Sequence, residues 1–343
     1  MSSAALDRLL FVLVAASLAT GVLTWRAGSS DTWWLYALHG VLAGLLLAGV
    51  LIKLYRSMAP AVRQGRVRQL SIAIPLAVLT LFSLIVGFAA TGAGRLVELG
   101  PWTLLGWHAI LGLLLVPFLL VHLLPRRWRL LRPRWRLLRP RRSSAQVQAA
   151  PRVSRRALLA GGAMGIFGLT VWGVAGVLDL LGQRPRRFTG SRWLPSGGIP
   201  IPTTFFGEGA PPVDPATWRL CVRGEVDRPL DLSLADLRGL GTSDLTAVLD
   251  CTGGWAMETT WQGVHMGTVL EAARVRPTAR HLEVRSLTGW GAALGLDEGR
   301  DTFLATAVAG VELSVGNGAP CRLVVPNRRG LDWVKWVSDV VVS

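Results

Sequence analysis

The cysteine at position 251 is the side chain in this sequence best suited to bind a soft metal or to act as a nucleophile. It follows the apolar run 245–249 and Asp250, and Gly253 and Gly254 come shortly after it. Such a run predicts a strand, and glycines at its end let a bulky ligand approach the backbone. The same pattern is also typical of a buried structural cysteine beside a turn. The local residues therefore leave both readings open.

Two longer motifs surround this cysteine. The first is Leu-Asp-Cys-Thr-Gly-Gly-Trp at 249–255, followed by Trp-Gln-Gly-Val at 261–264. The second is Gly-Asn-Gly-Ala-Pro-Cys-Arg at 316–322, closed by Asp-Trp-Val-Lys-Trp-Val at 332–337. In this order they resemble the signatures of the sulfite-oxidase-type molybdopterin-dependent oxidoreductases. The resemblance covers roughly residues 190–343.

This resemblance implies that Cys251 is the catalytic residue and the protein ligand of molybdenum, with two further sulfurs from the dithiolene of the pterin. A soft thiolate suits such a metal, and coordination would keep the thiol deprotonated. The implied enzyme is a molybdenum oxidoreductase that transfers an oxygen atom. It would reduce an S- or N-oxide or oxidise a sulfite-like small molecule.

The resemblance also assigns residues to the molybdenum-molybdopterin cofactor. A guanidinium and an ammonium suit its phosphate, and Arg328 and Arg329 add charge nearby. Surface arginines and a core asparagine are the alternative. The implied cofactor-binding residues are Asn317, Arg322, Trp333, Val334, Lys335, Ser286, Thr203 and Thr204.

The sequence departs from the family at the groups expected over the metal, which are commonly a tyrosine and an arginine. Both tyrosines of this chain, Tyr36 and Tyr55, precede the region of resemblance. His265 and Arg285 are substitutes on spacing alone. The departure leaves the substrate open, and it favours one alternative. That alternative is a non-catalytic membrane electron-transfer or binding subunit with a degenerate molybdopterin domain.

The composition indicates a membrane protein. Hydrophobic residues make up 51% of the 343 residues, which is high for a soluble protein. The net charge of +16 arises before Gly190, and nucleic-acid binding is not expected. The three cysteines do not form a disulfide framework, and Cys221 and Cys321 are expected in the core. Four apolar runs near the length of a membrane span are Leu9–Trp25, Trp33–Ile52, Leu70–Ala90 and Trp102–Leu124.

Two histidines inside these spans could bind a haem. His39 lies six residues past Trp33, and His108 lies six past Trp102. At 1.5 Å per residue both imidazoles reach the same depth of ~9 Å, which suits a bis-imidazole haem b. Histidines that only hydrogen-bond between helices are the alternative. His122 resembles the second-haem ligand of di-haem b-type cytochromes but has no partner histidine, so one haem is predicted. Glycines expected to give the macrocycle room are Gly40, Gly44, Gly106 and Gly112.

The basic residues orient the chain in the plasma membrane. They follow the second and fourth spans, which places the N-terminus and the linker in the cytoplasm. The basic repeat at 127–140 is expected to lie against lipid headgroups. Ser-Arg-Arg-Ala-Leu-Leu at 154–159 resembles a twin-arginine export signal, with ordinary positive-inside flanking as the alternative. A fifth span would carry residues 190–343 to the outer face, with electrons exchanged with quinone or another membrane donor.

The expected architecture is a membrane all-α bundle of about five transmembrane helices, followed by an α+β, β-rich sulfite-oxidase-like molybdopterin-binding domain. Strands are predicted at 218–224, 245–249, 281–286 and 322–325, and short helices at 232–240, with Ser233 as N-cap, and at 268–274. The predicted domains are 1–125, a cytochrome-b-like four-helix domain; 126–154, a basic linker; 155–182, the fifth helix; and 190–343, the oxidoreductase domain.

Overall fold

The computed structural model describes residues 3–65, 67–92, 96–131, 155–181, 186–203 and 208–343. Thr204 and most of the predicted basic linker therefore lie outside the described residues. The chain forms two compact units. The first comprises Met1–Val22 and Ala37–Gln183, and the second comprises Leu23–Tyr36 and Arg184–Ser343.

The described residues of the first unit are mainly helical. Among the described residues, four helices that lie mainly in this unit contain stretches long and apolar enough to cross a membrane, at Ala5–Leu23, Ser30–Arg56, Ile74–Thr91 and Leu104–Val121. These stretches overlap the four predicted spans. The elements are α1 (Ser3–Leu23), α2 (Trp33–Lys53), a π-helical turn (Leu54–Met58), α3 (Ala59–Arg63), α4 (Val67–Gly92), β1 (Glu98–Leu99), β2 (Trp102–Thr103), α5 (Leu104–Leu131) and α6 (Arg155–Leu181).

Two features of these helices differ from the sequence expectations. Helix α5 continues past residue 125 to Leu131, into the predicted linker, although it contains Pro125. Membrane-type helices tolerate proline when neighbouring groups satisfy the freed backbone carbonyl. Helix α6 is present where the fifth span was predicted, but it is not among the four membrane-length apolar helices, so the fifth span stays a prediction.

Close backbone contact and apolar packing hold the helices of the first unit together. A Cβ atom on Gly44 of α2 would lie 2.6 Å from the Cα of Gly168 on α6, so these helices meet at two glycines. Helices α1, α2 and α4 bury a shared apolar cluster. Its fully buried members are Leu13, Leu46, Val50 and Leu84.

The second unit is β-rich, with short helices between its strands. Ser233 caps α7 in a capping box with Asp236, which confirms the predicted helix start. Strand β8 has the predicted bounds. The elements are β3 (Arg192–Trp193), β4 (Leu220–Gly224), β5 (Leu230–Leu232), α7 (Leu234–Gly239), β6 (Ser243–Cys251), β7 (Trp255–His265), α8 (Met266–Ala273), β8 (His281–Ser286), β9 (Gly291–Gly295), α9 (Leu296–Arg300), β10 (Phe303–Val308), β11 (Val311–Glu312), β12 (Arg322–Val324) and β13 (Val337–Val342).

Two sheets organise these strands. One has the order β5-β4-β13-β8-β9, and the other has the order β11-β10-β7-β3, with β12 paired to β10 and β6 paired to β7. Strands β6 and β7 form an antiparallel hairpin that ends at the pair Cys251 and Trp255. Gly254 in its turn has φ +96°, a conformation that favours glycine. The hairpin therefore places Cys251 at a strand end, as the sequence predicts.

Candidate active site

The thiol of Cys251 is buried at the end of the β6–β7 hairpin, where 8% of the residue is exposed. Its Sγ accepts a hydrogen bond from the backbone N–H of Gly253 at 3.3 Å. Burial raises the pKa of Cys251, because a thiolate loses its hydration there. The Gly253 N–H, Arg329 and Thr203 oppose this rise. A metal would displace the thiol proton, and those three groups would then stabilise the thiolate.

Asn317 and Arg322 carry buried polar atoms that have no hydrogen-bond partner among the described residues. These atoms are Oδ1 and Nδ2 of Asn317 and Nε of Arg322. Nη1 of Arg322 donates to the backbone oxygen of Asn317 at 3.2 Å, and its guanidinium carbon lies 5.4 Å from the ring centre of Trp261. A buried polar atom left without a partner costs ~1–3 kcal/mol. Three such atoms on two residues indicate a binding site for a ligand with both donors and acceptors.

Two buried cations give this site its charge. Burial lowers the pKa of Arg322 to about 10. Burial and, to a smaller extent, the nearby Arg322 together lower the pKa of Lys335 to about 8. Nζ of Lys335 donates to the backbone oxygens of Thr203 at 2.6 Å and Gly316 at 2.7 Å. An anionic ligand would favour the charged form of both side chains, so the pair is suited to a phosphate.

The segment from Trp333 to Lys335 packs against the strand that carries Arg322. The ring of Trp333 lies 5.8 Å from the Arg322 guanidinium carbon. The carbonyl of Val334 accepts a hydrogen bond from Leu323 of β12 at 2.8 Å, so Val334 acts through its backbone. Contacts and charge interactions bring together five predicted site residues. They are Cys251, Thr203, Asn317, Arg322 and Lys335.

Ser286 is connected to this group only through intermediates. Its hydroxyl lies 3.0 Å from that of Thr288, and Thr288 donates to Glu208 at 2.6 Å. The carboxylate of Glu208 in turn favours the charged form of Lys335. Ser286 is therefore linked to Lys335 only indirectly, through Thr288 and Glu208. The predicted role of Thr204 falls outside the described residues.

Arg285 and His265, the suggested substitutes for the groups that the family places over the metal, contact other residues in the structure. Arg285 makes two hydrogen bonds to Glu283, at 2.8 and 2.7 Å. The ring of His265 packs edge-on against Phe303, with ring centres 5.0 Å apart. Tyr36 lies in the second unit, but its hydroxyl donates to backbone oxygens of the segment between α1 and α2. These contacts give none of the three side chains a place beside the thiol.

The prediction that Arg328 and Arg329 provide charge for a phosphate is wrong, because both are neutralised by acids. Arg328 pairs with Glu298 at 2.6 Å and with Asp332 at 3.0 Å. Arg329 is 3% exposed and donates to Asp250 at 3.2 Å. Cys221 also differs from its prediction, because it is only partly buried.

The sequence analysis missed a buried network around Asp250, which precedes the cysteine. Its carboxylate accepts hydrogen bonds from Arg187 at 2.7 Å, Thr189 at 2.7 Å, Ser191 at 2.6 Å and Arg329 at 3.2 Å. Burial alone would raise its pKa, but these four groups together hold the pKa of Asp250 below its ordinary value. The partners lie 59 to 79 positions away in the sequence, so no local pattern reveals the network.

Replacing Asp250 with asparagine is expected to destabilise the second unit by roughly 3–5 kcal/mol at neutral pH. The change leaves Arg187 and Arg329 without their buried counter-charge. The pKa of Asp250 in the folded protein lies below its unfolded value of about 3.9. The ionised carboxylate therefore stabilises the folded state at neutral pH, and this stabilisation is lost as pH falls below about 4. Urea unfolding at pH 7 and at about pH 3 should show a smaller gap between variant and wild type in acid. Asp244→Asn, at an exposed position of β6, is the control. An equal difference in unfolding free energy between Asp250→Asn and wild type at both pH values would contradict the prediction.

In the first unit, the two predicted haem ligands lie side by side. The ring centres of His39 on α2 and His108 on α5 are 6.0 Å apart. Nδ1 of His39 is 2.9 Å from the hydroxyl of Thr20, and Nδ1 of His108 is 2.9 Å from the backbone oxygen of Ser83. Because these contacts use Nδ1 of each ring, Nε2 is the atom of each ring that could bind a metal.

The room for these rings comes from glycines that the sequence analysis did not select. A Cβ atom on Gly21 of α1 would lie 3.3 Å from the His39 ring, and one on Gly87 of α4 would lie 2.7 Å from the His108 ring. Of the predicted glycines, Gly44 instead contacts α6. The sequence could not indicate this, because the glycines lie on helices other than those of the histidines.

Comparison with known proteins identifies the C-terminal region. Residues 208–343 match the family model for the oxidoreductase molybdopterin binding domain. This region of the chain is similar to a molybdopterin-binding oxidoreductase domain. We call it the molybdopterin domain.

Three relatives, two of them named enzymes, are similar to part of this chain. The protein-methionine-sulfoxide reductase catalytic subunit of Xanthomonas campestris is 34% identical over 143 residues, which cover 36% of this chain and 44% of that protein. An uncharacterised oxidoreductase of Bacillus subtilis is 30% identical, covering 37% of this chain and 66% of that protein. Mitochondrial sulfite oxidase of Rattus norvegicus is 32% identical, and the match covers 39% of this chain and 30% of that protein. The chain therefore spans less than half the length of the Xanthomonas and rat proteins.

The residues of the molybdopterin domain fit the cofactor that its family binds. The unpartnered atoms of Asn317 and Arg322 can pair with the donors and acceptors of a pterin. Arg322 and Lys335 suit its phosphate. Cys251 provides a soft sulfur ligand beside these groups. The molybdenum-molybdopterin cofactor is thus supported by the family match and by the buried polar atoms.

Replacing Arg322 with methionine is expected to raise the melting temperature of the cofactor-free protein and to lower the cofactor content of protein from normal cells. A buried guanidinium without a counter-charge is costly, and an apolar chain of similar volume can gain ~1–4 kcal/mol. Melting curves of protein from cells that cannot make the pterin test the first effect, and pterin analysis tests the second. Arg219→Met, at a side chain 52% exposed, is the control. A lower melting temperature for the cofactor-free variant than for the wild type would contradict the prediction.

Proposed function

We propose that this chain is a membrane-anchored molybdenum oxidoreductase that reduces a sulfoxide with electrons from a haem b in its first unit. The observation that carries the proposal is the buried Cys251 thiol next to the unpartnered polar atoms of Asn317 and Arg322. The Xanthomonas relative is a protein-methionine-sulfoxide reductase catalytic subunit, which supports a sulfoxide and the reducing direction.

The proposed reaction consumes one sulfoxide, two electrons and two protons, and it releases a thioether and water. A molybdenum-molybdopterin cofactor bound here would supply the two-electron chemistry of this reaction. In this reaction Cys251 is the protein ligand, and the Gly253 N–H fixes its sulfur. Arg322 and Lys335 hold the phosphate of the cofactor, and burial of the thiol keeps water from it.

The proposed electron input is the histidine pair of the first unit. His39 and His108 would hold one haem b, which exchanges one electron at a time with a quinol or another membrane donor. Thr20 and the Ser83 carbonyl orient the two rings through Nδ1. A pair of one-electron transfers then completes each sulfoxide reduction.

Assays of the purified full-length chain with artificial soluble redox dyes test the substrate. Methionine sulfoxide should oxidise a reduced viologen dye with two equivalents of dye per sulfoxide. Sulfite should fail to reduce ferricyanide in the same preparation. Oxidation of sulfite without any reduction of sulfoxide would reject the proposed direction and substrate class.

We also propose that the molybdopterin domain lies on the outer face of the plasma membrane. The segment Leu23–Tyr36 belongs to the same compact unit as this domain, so both should lie on one side of the membrane. The basic loops after the second and fourth spans support an outside location for that side. Protease added to intact spheroplasts should cleave the domain and spare the repeat at 127–140. Cleavage of the repeat with protection of the domain would reverse the orientation.

A further inference from the structure

The last residue of α1, the connection to α2 and the first turn of α2 are part of the second unit. We call this segment, Leu23–Tyr36, the docked loop. Ala27 forms a β-bridge with Arg328, and the carbonyl of Gly28 accepts a hydrogen bond from Arg187 at 3.0 Å. A Cβ atom on Gly28 would lie 2.7 Å from the Arg328 carbonyl carbon, so the two backbones are in direct contact. Only glycine permits this approach.

One guanidinium connects the docked loop to the backbone of the cysteine. Arg329 donates to the carbonyl of Thr24 at 3.4 Å and to the carbonyl of Cys251 at 2.9 Å. It also donates to Asp250, and the same carboxylate binds Arg187, the donor to Gly28. Arg187 and Arg329 therefore each donate both to Asp250 and to a carbonyl of the docked loop.

Tyr36 holds the docked loop in shape from its C-terminal end. The Tyr36 hydroxyl lies 2.8 Å from the carbonyl of Thr24 and 2.5 Å from that of Ala27, which share its single proton. Its ring packs edge-on against Phe188, with ring centres 5.6 Å apart. Loss of the hydroxyl would free the Thr24 carbonyl that Arg329 uses.

We propose that the docked loop is a positioning element for Cys251. The loop fixes the Arg329 guanidinium, and Arg329 fixes the peptide group that carries the thiol. The proposal rests on the proposed function only where it assigns molybdenum to this thiol. Tyr36 contacts Thr24, Ala27 and Phe188, and Gly28 contacts Arg187 and Arg328, so both residues act on the thiol through other groups and are positioning residues. The arrangement makes the thiol geometry depend on a segment of the membrane-anchoring part of the chain.

Two substitutions with matched controls test this. Tyr36→Phe removes one hydroxyl and keeps the ring, and Tyr55→Phe makes the same change at a residue that is 81% exposed. Gly28→Ala forces the loop from the Arg328 backbone, and Gly209→Ala adds a methyl group where no atom lies within 4 Å. Each pair compares one chemical change inside and outside the docked loop.

Cofactor-free protein gives the first measurement. The rate at which iodoacetamide labels Cys251, read by peptide mass spectrometry, should rise roughly three- to tenfold in Tyr36→Phe, as the loss of one hydrogen bond allows. Gly28→Ala should give a larger rise. Both control variants should label at the wild-type rate.

Cofactor-loaded protein gives the second measurement. With a soluble dye as electron donor, Gly28→Ala should lower kcat by roughly 10- to 100-fold with little change in KM, because the ligand is misplaced and not the substrate. The paramagnetic resonance signal of one-electron-reduced molybdenum should shift in both loop variants and not in the controls. A purely structural loop would lower the yield of folded protein and leave this signal unchanged.

Equal labelling rates and unchanged molybdenum signals in the loop variants and controls would overturn the inference. If the purified wild type contains no molybdenum, the proposed function fails. The labelling rates still decide whether the docked loop positions the thiol.

Discussion

The Cys251→Ser protein is expected to fold normally and to lose sulfoxide reduction by more than about a hundredfold. Removing a residue that only supports a metal ligand typically costs 10- to 100-fold, and here the ligand itself changes. Serine has almost the volume of cysteine, but its oxygen is a harder donor that suits this metal poorly. Dye-driven turnover measures the loss, and circular dichroism with the melting temperature checks the fold.

The chain provides a control for this substitution. Cys221 is a partly buried free cysteine on β4, and Cys221→Ser should keep full activity. Undiminished turnover in Cys251→Ser would show that the thiol is a core residue, which is the alternative that the local sequence left open. It would also favour the non-catalytic reading of the chain.

Alanine at His39 or His108 is expected to abolish the low-spin haem spectrum and quinol-driven turnover together. In the proposed haem site each ring would hold the iron from one side chain, and the ring centres are 6.0 Å apart, so the loss of either histidine should remove the site. Turnover with a soluble dye should persist, because the dye is expected to give electrons directly to the molybdopterin domain. Visible spectra and parallel assays with the two donors measure both effects.

His122→Ala serves as the comparison, because His122 lies on the same helix, α5, and is not part of the predicted pair. It should leave the haem spectrum nearly unchanged if one haem is bound. A normal spectrum in both His39→Ala and His108→Ala would show that the close approach of the rings has another purpose. The helices would then be an anchor without a redox function.

Local patterns predicted the parts of the fold that depend on local chemistry. The apolar runs predicted four helices, because a membrane-length helix must be apolar over most of its turns. Ser233 marked the start of α7, because its side chain caps the first backbone N–H groups. The glycines after Cys251 marked the strand end. Matching helical depth predicted the pairing of His39 and His108, and their rings lie together.

Contacts between segments that are distant in the chain could not be predicted from the sequence. Arg329 was expected to add charge near a phosphate, but it is buried against Asp250, 79 positions away. Nothing local in the docked loop shows that it packs against the backbone at Arg328, because the fit depends on two surfaces formed by separate parts of the chain. The unpartnered atoms of Asn317 likewise become visible only once its burial is known.

X-ray absorption at the molybdenum edge of the purified full-length protein tests the central claim most directly. The proposed site has three sulfur ligands, two from the pterin dithiolene and one from Cys251. The spectrum should fit three Mo–S distances in the wild type and two in Cys251→Ser, with an added oxygen ligand. Absence of molybdenum from the wild type, or the same sulfur count in both proteins, would contradict the assignment of Cys251 as its ligand.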